Sequence, residues 1–130
     1  MDAAASWPFK VRQMAQRQTL LIGLLAFAVT SVLFINFCDL VYGCGCRSLW
    51  NGADAHCNIH AHHGKHCPWC SHGMVGYAII FACIQIPEFA VAWALRHKPW
   101  LLGLTGTLLS FPVFGGIVAL VVGLWDGYWK

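Results

Sequence analysis

The sequence predicts an all-α membrane protein: three transmembrane helices with a Cys/His-rich loop between the first and the second. Three observations lead there. Hydrophobic residues make up 58% of the 130 positions and charged ones 10%, against roughly 25% charged in an average soluble domain. Three stretches free of charge, or nearly so, are long enough for the about 20 helical residues that span a bilayer core. Between the first two, eleven of the 29 positions from Cys44 to His72 are Cys or His, while the rest of the chain holds only Cys38, Cys83 and His97. Eight basic and five acidic residues cannot cover the surface of a soluble domain this size, and disorder requires the opposite composition. A net charge of +3 gives no basis for a nucleic-acid partner.

Residues 1–17 read as an N-terminal cytoplasmic segment and 18–42 as the first span, with its apolar heart from Leu20 to Phe37. The loop occupies 43–72 and the second span 73–95, interrupted only by Glu88. Arg96-His97-Lys98 makes a tight cytoplasmic turn, 99–125 a third uncharged span, and 126–130 a tail. Lys10, Arg12, Arg17, Arg96 and Lys98 fall on one side of three crossings, and Arg47, Lys65 and Lys130 on the other. By the positive-inside rule the N-terminus is cytoplasmic and the loop extracytoplasmic, the expected setting being a bacterial inner membrane. Trp7, Trp93 and Trp100 then belong to the inner interface, and Trp50, Trp69, Trp125 and Trp129 to the outer. A cleaved secretory signal fits poorly, because the first apolar core is long and no A-x-A-like site follows. Val41-Tyr42-Gly43-Cys44 departs from a lipoprotein cleavage pattern at the bulky Tyr42.

Within the spans, Gly115, Ala119 and Gly123 recur four apart, a spacing that lets helix backbones approach closely in lipid. Packing within the chain is the first expectation for this stripe, and packing against another protein the second. Gln85 and Glu88 share a helical face around Pro87, which removes one backbone hydrogen bond. A carboxyl at membrane depth costs ~3 kcal/mol on insertion scales and marks a functional hypothesis, so Glu88 is expected to be protonated or paired, with Arg96 as nearest cation. Asn36 and Asp39 lie close enough to the loop to contribute ligands or simply to mark the interface.

The loop carries the chemistry. Asn51-Gly52 signals a turn, Asp54 suits an N-cap and Gly64 a helix end. A short helix from Ala55 to His63 is therefore expected, with His56, His60 and His63 on one face and in reach of a shared metal. Cys44-x-Cys46 and Cys67-x-x-Cys70 are both short enough to chelate, and mixed thiolate–imidazole ligation favours zinc or copper. Candidate ligands are Cys44, Cys46, Cys57, His56, His60, His63, His66, Cys67, Cys70 and His72. The preferred set is Cys44, Cys46, Cys67 and Cys70, or two of these with His60 and His63. The functional expectation is transition-metal binding in metal handling or as an accessory subunit, in a homo-oligomer or larger membrane complex, with Gln85 and Glu88 as intramembrane polar groups that could serve an ion or proton route.

A redox reading competes. Pro68 can open a helix and leave Cys67 at its N-terminus, where thiolate is favoured. Cys67-Pro68-Trp69-Cys70 leading into a membrane helix resembles the active-site pair of bacterial vitamin K epoxide reductase homologues. The resemblance implies a quinone-linked thiol–disulfide oxidoreductase, with Cys67 and Cys70 as the pair that exchanges electrons with quinone and Cys44-x-Cys46 in the part of the shuttle cysteines. A third expectation is structural: disulfides stapling an outer cap, in which five loop cysteines leave one over unless Cys38 joins them.

Overall fold

The computed structural model of the chain describes residues 9–130. Trp7 lies outside them, as do the rest of 1–8 and the side chain of Arg12. Helix α1 runs Phe9–Tyr42, α2 is the single turn Pro68–Ser71, α3 is Gly73–Ala94 and α4 is Trp100–Trp125. No strand occurs among the described residues. Three of these helices, α1, α3 and α4, are long and apolar enough to cross a membrane. At 1.5 Å per residue, α1 spans about 51 Å, α3 about 33 Å and α4 about 39 Å, against ~30 Å of hydrocarbon. The surplus in α1 carries its basic N-terminal turns beyond the apolar heart.

The helices meet along rows of residues four apart. In α1 the buried row is Ile22, Ala26, Thr30, Phe34, Cys38 and Tyr42. In α3 it is Ile80, Ile84, Glu88 and Ala92, and in α4 Gly103, Thr107, Phe111, Gly115, Ala119 and Gly123. Such i±4 rows are the ridges by which helices interlock. The stripe of small residues in α4 is thus used inside the chain: a Cβ on Gly115 would lie 2.8 Å from the Phe37 ring, and one on Gly123 2.5 Å from Trp129. Large apolar side chains such as Leu24, Ile79, Leu101 and Val121 point outward, as a bilayer environment demands.

Polar groups within the bundle are few. Gln85 donates from Nε2 to Thr30 Oγ1 at 2.8 Å, and Thr30 donates in turn to the Ala26 carbonyl at 2.9 Å. Glu88 is buried, and neither of its oxygens has a hydrogen-bond partner among the described residues. Arg96, the cation expected near it, instead lies 4.9 Å over the Trp93 ring and donates to the Trp93 carbonyl at 3.2 Å.

Two expectations about the loop fail. The helix from Ala55 to His63 does not form: the chain turns through 52–56 and makes one turn of 3-10 helix at Asn58–His60. The α-helical bond from the Asn58 N–H to Asp54 is replaced by a tertiary one to the Cys44 carbonyl at 2.7 Å. A partner from the other arm of the loop therefore takes the bond with which the helix would have started. Trp69, expected at the membrane interface, is fully buried and stacks on Phe34 with ring centroids 4.7 Å apart.

Candidate metal centre

The Tyr42, Gly73 and Trp125 ends of the three long helices support a cap into which the cysteines turn. Cys38 enters from α1, as the next member of the buried row after Phe34. Tyr42 ends the helix, and Gly43 reverses the chain with φ +57°. Cys44 and Cys46 flank Gly45, whose N–H donates to Asp39 Oδ1 at 2.7 Å. Gly45 holds φ +84°, and a Cβ there would sit 2.6 Å from the His56 carbonyl oxygen, so only glycine brings both cysteines inward at this turn. Cys57 arrives from the second arm, Cys67 immediately before α2, and Cys70 within it.

Asn58 ties these arms together. Its N–H reaches the Cys44 carbonyl, and its Oδ1 accepts from the Cys67 N–H at 2.7 Å. Its Nδ2 donates to Tyr128 Oη at 3.4 Å, and Tyr128 donates to the Tyr42 carbonyl at 2.8 Å. Tyr42 in turn donates to the Ala119 carbonyl at 2.7 Å. Lys65 donates to the Tyr128 carbonyl at 2.6 Å. The tail after α4 thus clamps the loop from above, and Trp69 with Phe34 forms the floor.

Cys38, Cys44, Cys46, Cys57 and Cys67 are buried and Cys70 half-buried, all six as free thiols. The Cys38 sulfur lies 3.6 Å from that of Cys44 and 3.1 Å from that of Cys67. Triads whose sulfurs all lie within 4.8 Å of one another include Cys38–Cys44–Cys67, Cys38–Cys46–Cys70, Cys44–Cys46–Cys57 and Cys57–Cys67–Cys70. These cysteines can hold a metal ion. A cleft of about 380 Å³, lined by Cys38, Cys46 and Cys70 together with Asp54, His60 and Met74, opens onto the second triad.

The cluster is electrostatically uneven. Hydrogen bonds from the Cys38 thiol, and next from Cys67, pull Cys70 down to about 5. Cys67 is lowered by bonds from Cys38 and then Cys44. Burial pushes Cys46 up, as does its bond to Cys57, and burial raises Cys57 as well. Thiolate character therefore gathers on the α2 pair, with neighbouring thiols as donors.

Of the residues read as ligands from the sequence, the structure brings together Cys44, Cys46, Cys57, Cys67 and Cys70. His56, His60, His63 and His66 are exposed, and no histidine belongs to a metal-competent group among the described residues. His72 faces Asp126, with Nε2 2.8 Å from Oδ2. Cys38, which the sequence offers only as a disulfide partner, belongs to two of these triads. Its signal was its place on the four-residue row of α1. Asn58 and Tyr128 carried no sequence signal, since their role is to bond across the loop. No family model matches the chain, and neither a curated protein nor a solved structure does.

Proposed function

We propose that this chain is a small membrane-anchored thiolate receptor for a soft transition metal, zinc or copper, which it receives and holds at the extracytoplasmic face of a bacterial inner membrane. The supporting observation is a cluster of six sulfurs, five buried and one half-buried, at one end of a lipid-suited helix bundle. Thiolate donors select copper(I), zinc or iron–sulfur clusters over hard cations. An iron–sulfur cluster is the poorer fit, because its inorganic core spreads the cysteine sulfurs farther apart than the 4.8 Å within which these triads lie. The bias of Lys and Arg toward the N-terminal segment and the 96–98 turn supports the orientation. The role is in metal handling or as an accessory subunit, in an oligomer or with a partner in the same bilayer. Metal analysis of detergent-purified protein tests the reading. At least one zinc or copper per chain is expected, lost in Cys67→Ser/Cys70→Ser; less than ~0.3 per chain, too little for a tight site, would overturn it.

A second reading, quinone-linked thiol–disulfide exchange, draws support from the lowered Cys67 and Cys70. The two thiols would give two electrons and two protons to a quinone, forming a disulfide and a quinol. Thiol trapping before and after quinone addition tests it: the pair must change state, and an unchanged pair excludes this chemistry.

A further inference from the structure

The four sulfur triads have a connectivity that specifies more than a metal preference. Within these four triads each of the six sulfurs occurs twice, and any two of them share one sulfur: Cys38, Cys44, Cys67, Cys46, Cys70 or Cys57. Three pairs occur in no triad, namely Cys38–Cys57, Cys44–Cys70 and Cys46–Cys67. Six points linked in this way are the corners of an octahedron, with those pairs at opposite corners; its twelve edges all lie within 4.8 Å, so every face meets that limit, and the four triads are one of its two alternating sets. Four metals seated on alternating faces of a sulfur octahedron form a closed cage, in which every metal has three sulfurs and every sulfur bridges two metals.

We infer that the cap assembles a tetranuclear copper(I)–thiolate cluster, four copper(I) ions held by the six bridging sulfurs of Cys38, Cys44, Cys46, Cys57, Cys67 and Cys70. The inference rests on the reading above that these sulfurs bind a soft metal, and it names the ion, its number and its coordination. Copper(I) is content with three thiolates in a plane. Zinc in structural sites takes four ligands in a tetrahedron, and any four corners of this octahedron include one of the opposite pairs. A zinc–thiolate bond is ~2.3 Å; a bond of similar length to a metal at the centre of a triangle puts sulfurs about 4.0 Å apart. That separation lies within the 4.8 Å span of the triads, and the sulfurs of Cys38–Cys44 and Cys38–Cys67, at 3.6 and 3.1 Å, must move apart to reach it. Loading is a substitution without electron transfer: six thiols release their protons to solvent, four copper(I) ions enter, and six negative sulfurs with four positive ions leave a net charge of −2. The cleft at the Cys38–Cys46–Cys70 triad, with the Met74 thioether and the His60 imidazole beside it, is the face through which copper reaches the cage.

The test uses the full chain, reduced and anaerobic in detergent, titrated with copper(I) as its acetonitrile complex against a chromophoric copper(I) chelator. Binding is expected to saturate at four copper per chain, with one-, two- and three-copper species sparse in native mass spectra. X-ray absorption should show three sulfur neighbours per copper and copper–copper scattering. Saturation at one metal per chain, copper or zinc, without metal–metal scattering overturns the cluster and leaves the simpler metal reading standing. Binding of neither metal overturns both. Cys57→Ser removes a sulfur shared by two faces, so capacity is expected to fall below four. Cys83→Ser, exposed and outside the cage, should retain four and reports on folding. A folded, monodisperse Cys57→Ser protein that still binds four copper with unchanged metal–metal scattering would contradict the cage.

Discussion

The five cysteines and six histidines of the loop are interleaved in the sequence and meet different fates in the structure. The sulfurs turn inward, converge from α1, both arms of the loop and α2, and are shielded by Trp69 and the tail. The imidazoles of His56, His60, His62, His63 and His66 stay at the surface. Burial follows polarity. A thiol behaves as a small hydrophobe and is buried readily, whereas an imidazole must keep hydrogen bonds for two ring nitrogens and finds them most cheaply in water. Composition alone therefore marks the loop as rich in metal-ligating groups, and burial separates the half that is brought together from the half left in water.

The largest expected effect separates the halves. Replacing all five of these histidines by Asn should leave the metal content of the loaded protein at the wild-type value, while Cys67→Ser/Cys70→Ser should lower it at least about tenfold, as loss of ligands from a structural site does. Equal losses would erase the distinction between the two regions. The next effect concerns the tie that holds the sulfur half in place. Asn58→Ala deletes the acceptor of the Cys67 N–H, and an unsatisfied donor there costs about 1–3 kcal/mol. Thermal unfolding of the metal-free protein should register it as a lower Tm. An unchanged Tm would mean that the arms are held by other contacts.

Alkylation sharpens the comparison within the cluster. Cys70 is held down to about 5, so its thiolate is present across the neutral range and is lost only as pH falls through that value. In metal-free protein its alkylation rate should be nearly flat from about pH 8 to 6 and drop about tenfold per unit well below 5, while Cys46, raised by burial, stays unreactive at neutral pH. Peptide mapping after a brief iodoacetamide pulse reads both. The smallest effect is expected at the one loop histidine with a carboxylate partner: His72→Ala breaks an exposed pair with Asp126 and should change stability by less than about 1 kcal/mol, with no loss of metal.

Much of this architecture is legible in the sequence, and the exceptions have physical causes. Lengths free of charge reveal α1, α3 and α4, because a bilayer tolerates few charges. Gly115, Ala119 and Gly123 announce close packing, which the structure uses within the chain. Cys44, Cys46, Cys57, Cys67 and Cys70 stand out by spacing. Cys38 does not, because a lone cysteine at the end of an apolar helix looks like one more buried residue. Only the row Ile22, Ala26, Thr30, Phe34 shows that it faces the loop side of the core. The expected helix over the histidines rested on local caps at Asp54 and Gly64, and one long-range bond, from Asn58 to the Cys44 carbonyl, overrode them. Arg96 lies near Glu88 in sequence but has an aromatic ring to cover, and a pairing of that kind is invisible in one dimension.

The proposed thiolate receptor holds its metal among sulfurs and not among imidazoles, and X-ray absorption at the metal edge of the loaded wild-type protein distinguishes the two. A first shell of sulfur alone, unchanged when the five exposed histidines are replaced, is the predicted result. Nitrogen neighbours with the multiple-scattering pattern of imidazole, vanishing in the histidine variant, would contradict it.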